Sequence, residues 1–111
     1  MASDPQALAR AQALLKQLWK QHKGTIFERL ELLESVSAAA LTMGESARED
    51  ARSAAHKLAG ALGTFGYKQG TEWARASELI FSNAEIGVAE QQELIDNARN
   101  IRTLLESSQE E

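Results

Sequence analysis

The chain is expected to fold as an all-α protein: an up-and-down four-helix bundle carrying an additional short N-terminal helix. Three observations lead there. Apolar residues recur at three- and four-residue spacings along every long segment, the period of a helix with one buried face. One Pro and seven Gly are spread over 111 residues, so long stretches run without a breaker. No stretch alternates apolar and polar residues as a half-buried strand does. Helices joined by short loops pack antiparallel, which makes a bundle the simplest closed arrangement.

The first helix starts at Asp4-Pro5, an N-cap followed by Pro at the first helical position. Leu8, Ala11, Leu15 and Leu18 share a face, with Trp19 at its edge and His22 continuing the stripe. Lys23-Gly24 reads as a helix end, and Thr25 with Glu28 as the capping box of a new start. Residues 1–24 are therefore expected as a separate helix packing on or capping the bundle, even though the stripe stays nearly in phase across Gly24. Ile26, Leu30, Leu33 and Ala40 mark the inward face of the second helix. Ser46 and Glu49 form another capping box, opening a helix that runs to about Phe65, with Gly66 as the turn residue. A fourth helix covers Tyr67 to about Phe81, with Trp73, Ala74, Ser77 and Ile80 or Phe81 inward. After the polar break "SNAEIG", Leu94, Ala98, Ile101 and Leu105 give the last helix its stripe. The bundle proper is expected over residues 25–107, with residues 108–111 as a frayed tail.

Composition narrows the function. With 43% hydrophobic and 25% charged residues, the chain has the balance of an ordinary globular domain. A net charge of −4 argues against nucleic acid as a partner, since phosphate binding needs clustered Lys and Arg. No apolar run is long enough for a membrane span and no secretory signal pattern opens the chain, so a cytoplasmic monomer is expected. The absence of Cys removes disulfides, zinc–thiolate sites and Cys nucleophiles together, and two His far apart in sequence make no metal site.

The stretch "AAHKLAGALGTFGY" is where chemistry gathers. On a wheel of about 100° per residue, Ala47, Ala51, Ala54, Leu58, Ala61 and Phe65 converge on one side, and His56 points to the other. Its neighbours there are Arg52, Ser53, Ala59, Gly60 and Gly63. Gly weakens a helix, so this patch values an uncovered surface over helix stability. It leaves an exposed imidazole room for a large partner. The three Gly do not make a phosphate-binding loop, because the G-x-x-x-x-G-K-[ST] order is absent, and autonomous ATP-dependent kinase activity is not expected.

"AHKLAGALGTFG" resembles the motif of histidine-containing phosphotransfer (HPt) domains, the phosphocarriers of multistep two-component relays. The pattern is His, an apolar residue two on, Gly four on and Gly ten on: His56, Leu58, Gly60 and Gly66. Many members carry Lys three residues after the His, where this chain has Ala59. The resemblance implies a phosphoryl group exchanged between His56 and an aspartate on a separate receiver domain, whose own acidic pocket holds Mg²⁺, so that this chain needs no cofactor. It also implies a polar side chain from the next helix orienting the ring through Nδ1, by position Glu78. Lys57 and Lys68 would attract the receiver's acidic face. The alternatives are a phosphorylation-incompetent module that docks a receiver or kinase domain, and a helical dimerisation module with the N-terminal helix as its seam.

Overall fold

The computed structural model describes residues 4–108. Within them lie four α-helices, α1 (Pro5–Ala38), α2 (Glu45–Thr64), α3 (Lys68–Phe81) and α4 (Val88–Ser108), with a single 3₁₀ turn at Ala40–Thr42 and no strand. Each helix packs on the next, and α4 closes the ring on α1. Leu30 and Leu33 of α1, Leu58 and Leu62 of α2, Phe81 of α3, and Leu94, Ile101 and Leu105 of α4 fill the middle and are essentially sealed from water.

One expectation is overturned at the N-terminal end. The separate helix expected over residues 1–24 is absent from the described part of that range, because α1 starts at Pro5 and runs unbroken through Gly24 for 34 residues, while residues 1–3 lie outside the described residues. A mid-helix Gly costs about 1 kcal/mol, whereas ending the helix would strand a set of backbone donors and acceptors at each new terminus. The continuous stripe tips the balance, since Ile26, Leu30 and Leu33 enter the core in phase with Trp19. Trp19 lies edge-on to Phe65 with centroids 5.2 Å apart, and 5.4 Å from the Tyr67 ring. It clamps α1 to the α2–α3 turn. Beyond it the helix projects past the bundle, which is why the molecule is 53 Å long but only 29 and 21 Å across.

The helix ends explain much of the local sequence. Asp4 accepts from the backbone N–H of Gln6 at 2.9 Å, the expected cap beside Pro5. At the other end of α1, Gln91 of α4 donates to the carbonyls of Ala38 (3.0 Å) and Ser37 (3.4 Å). The Ser46–Glu49 capping box does not form. Gly44 is the N-cap residue, Ser46 lies inside α2, and the Glu49 carboxylate is taken by Arg52 one turn on. Helix α2 stops in a Schellman motif: Tyr67 N–H donates to Leu62 O and Gly66 N–H to Gly63 O, with Gly66 at φ +83°. Only Gly takes that conformation without strain. At the far end, Ser108 is the last residue of α4, and residues 109–111 of the expected tail lie outside the described residues.

Helix α3 approaches its neighbours closely through Gly70. A Cβ there would stand 3.1 Å from Leu62 Cδ1 and 3.3 Å from Leu104 Cδ2. A buried polar link fixes α3 to α4, with Asn97 donating to Ser77 Oγ at 3.2 Å while Ser77 donates to the Trp73 carbonyl. Arg102 ties α4 to α1 through a two-pronged pair with Glu34, at 2.7 and 2.8 Å.

Candidate functional site

The inward face of α2 is turned slightly from the expected one. Ala51, Ala54, Ala55, Leu58, Ala59 and Leu62 are buried, Ala61 and Phe65 are half-buried, and Ala47 is exposed. Ala59 therefore does not belong to the open face. It is 3% exposed, because α3 packs over that side and Thr71 donates to the Ala59 carbonyl at 3.1 Å. A residue three places after His56 lies only about 60° from it around the helix, close enough to share its face or to fall under a neighbouring helix. Here the second happens.

The same antiparallel contact that covers Ala59 brings Glu78 to His56. Thr71 meets α2 at Ala59, and seven residues on, two turns along the same α3 stripe, Glu78 reaches the imidazole. Its oxygens lie 3.2 and 3.1 Å from Nδ1. The His56 side chain is 73% exposed and the Glu78 side chain 22%. An ionised carboxylate can only accept, so in a neutral ring this pairing favours the tautomer with the proton on Nδ1 and the lone pair on Nε2. Such an arrangement can present a neutral imidazole as an oriented nucleophile from the middle of α2.

The charges around the pair are arranged in order. Arg52 is held by Glu49, with Nη2 at 2.6 Å, and its other terminal nitrogen stands 3.9 Å from Glu78. That hydrogen bond lowers the Glu49 carboxyl below its ordinary range and raises the Arg52 guanidinium above its own. Ser53 is half-buried beside them. Lys57 is exposed but lies about 100° around the helix from His56. Lys68 is exposed at the start of α3, ten residues before Glu78 and so about 15 Å away along the axis. Neither Lys pairs with His56 or Glu78. Arg75 was not singled out by the sequence, yet it is exposed one turn before Glu78, on the stripe that runs from Thr71. The i, i+4, i+7 spacing of Thr71, Arg75 and Glu78 was the available signal.

The glycines divide their roles. Gly60, one turn from His56, has open space where a Cβ would be, and Gly63 faces Thr71 Oγ1 at 3.4 Å. Gly66 serves the turn. The imidazole thus stands beside bare backbone on one side and the Glu78 carboxylate on the other. Among the described residues no group of His, Cys, Asp or Glu is placed to hold a metal ion, and no helix is long and apolar enough to cross a membrane.

The family model of the Hpt domain matches residues 17–111, beginning within α1. No curated protein and no solved structure matches.

Proposed function

The chain belongs to the Hpt-domain family, whose members carry out histidine phosphotransfer, and from that premise we propose that His56 is the residue that receives and returns the phosphoryl group. The observation that carries this reading is the Glu78–His56 pair beside uncovered Gly60. Its donor would be the aspartyl phosphate of a receiver domain, and its acceptor the free aspartate of a receiver domain, in a phosphorelay. The Nε2 lone pair attacks phosphorus, the N–P bond forms, and the acyl-phosphate O–P bond breaks to release the aspartate as a carboxylate. The ring keeps its Nδ1 proton and gains positive charge as Nε2 is bonded, and the Glu78 carboxylate at 3.1 Å offsets it. Return transfer reverses these changes.

The chain supplies position and a complementary charge, which is most of what phosphoryl transfer asks of a protein. Mg²⁺ would be supplied by the acidic pocket of the receiver. The docking surface would be the strip from Arg52 and Ser53 past His56 to Gly60 and Gly63. The test is incubation with a phosphorylated receiver: wild type takes up acid-labile phosphate and His56→Gln does not. Undiminished label in the variant would move the phosphorylated residue elsewhere.

A further inference from the structure

The projecting half of α1 lies largely outside the family match, which begins at Gln17. Its leucines face water: Leu8, Leu14, Leu15 and Leu18 are 55, 57, 43 and 36% exposed. The stripe is a heptad pattern, with Leu8, Leu15, His22 and Arg29 at a, and Asp4, Ala11, Leu18 and Thr25 at d. From Leu18 onward this face becomes one wall of a groove of about 250 Å³, whose other wall is Ala61, Thr64 and Phe65 of α2. Exposed stripe and groove are one continuous surface.

We propose that this surface pairs α1 with α1 of a second copy, antiparallel, about a two-fold axis passing between Leu15 and Leu18. Each a position then meets a d position. Leu15 packs on Leu18 of the partner subunit, Ala11 on His22 of the partner subunit, and Leu8 enters the groove at Thr25 of the partner subunit. Small faces large in the middle layer. Residues 4–29 of both copies overlap, about 39 Å of helix, with the apolar positions Leu8, Ala11, Leu15 and Leu18 in the middle and Asp4 and Arg29 at the ends.

Charge selects this occupant and register. Asp4 is the only acid before Glu28, and the pairing sets it opposite Arg29 of the partner subunit. Arg29 lines the groove and has no carboxylate within 4 Å among the described residues. The basic residues Arg10, Lys16, Lys20 and Lys23 occupy b, c and f positions, turned from the seam, while the flanking e and g positions hold Pro5, Ala7, Gln12, Leu14, Trp19, Gln21, Ile26 and a single charged residue, Glu28. Between Leu8 and Thr25 no like charges meet across the interface. His56 is nine residues before Phe65, about 180° around α2 from the groove, so the dimer leaves the phosphotransfer face open. This pairing is an alternative to the monomer expected from the sequence and is independent of the role given to His56.

The test is sedimentation equilibrium of the full chain over roughly 1 µM to 1 mM, with and without vesicles containing phosphatidylserine. The mass should rise from 12.1 kDa toward twice that value. Leu15→Glu should raise the dissociation constant at least ten-fold with the helical circular dichroism of the bundle retained. Arg29→Glu should weaken the dimer and Asp4→Lys in the same chain should restore it. A single 12.1 kDa species at every concentration overturns the proposal, as does a dimer indifferent to Leu15→Glu. Vesicle binding by a chain that stays monomeric would assign the stripe to lipid instead, and failure of the charge swap to rescue would overturn the antiparallel register.

Discussion

Glu78 meets Nδ1 of His56 with both carboxylate oxygens, at 3.2 and 3.1 Å, and in the proposed transfer this pairing would leave Nε2 to react. Removing it should release the tautomer without unfolding the bundle. Glu78→Ala should slow phosphoryl transfer about ten-fold, equivalent to about 1.4 kcal/mol. Glu78→Gln, which can still accept from Nδ1–H, should fall between. Ring ¹⁵N shifts check the cause: the Gln variant keeps the Nδ1-protonated form and the Ala variant becomes a mixture. Wild-type rates in the Ala variant would return Glu78 to the role of a helix-surface residue.

Gly60 and Gly66 should answer the same substitution with opposite signs. Nothing lies within 4 Å of a Cβ at Gly60, so Gly60→Ala should stabilise the fold by up to about 1 kcal/mol. Gly66 sits at φ +83°, where a Cβ is strained, and Gly66→Ala should destabilise by about 1 kcal/mol. Denaturant midpoints read both. Gly60→Leu should remain folded yet lose exchange with the receiver, because the larger side chain fills the bare strip beside His56.

Arg102 binds Glu34 through two nitrogens, at 2.7 and 2.8 Å, each side chain about a third exposed. Such a bidentate but part-solvated pair is worth about 1 kcal/mol at most. Arg102→Met should lower the melting temperature by about 4–8 °C for that loss in a domain of this size, with phosphoryl transfer untouched. No change in melting temperature would show that solvent screens the pair completely.

The stripes of α1, α3 and α4 were legible because one buried face of a helix writes itself into the sequence as a period. Leu30, Leu33, Ala74, Leu94, Ile101 and Leu105 follow it and are buried. The twenty-two-residue separation of His56 and Glu78 was readable only through the family pattern, and the geometry agrees with it. What stayed hidden depended on which neighbour arrives. Thr25 and Glu28 make a sound capping box locally, but Trp19 against Phe65 and the in-phase stripe favour continuing the helix through Gly24. Ala59 looks like part of the His56 face until α3 closes over it. Gly70 gave no local signal, since its role is the distance between α3 and the side chains of Leu62 and Leu104.

Burial of Ala59 also reassigns the positive charge near the phosphoryl group, and Arg75 is the residue to test. Many relatives place a Lys three residues after the His; here that position is 3% exposed and packed under α3. Neither Lys57 nor Lys68 pairs with His56 or Glu78, and Arg52 is occupied by Glu49. Arg75 is exposed and lies one turn from Glu78 on the same stripe of α3. A guanidinium about 4 Å from a phosphoryl oxygen contributes about 1 kcal/mol in water-like surroundings, a factor of about five. Arg75→Ala should therefore reduce steady-state phospho-His56 by about three- to ten-fold at low salt, Arg75→Lys by less, and the difference should shrink as ionic strength rises. The measurement is loading from a fixed phosphorylated receiver at two salt concentrations, with receiver affinity determined in parallel. Equal loss of affinity and of loading would make Arg75 a docking residue; loss of loading at unchanged affinity would make it the charge that Ala59 does not provide. Unchanged loading at low salt would leave that charge to the receiver alone.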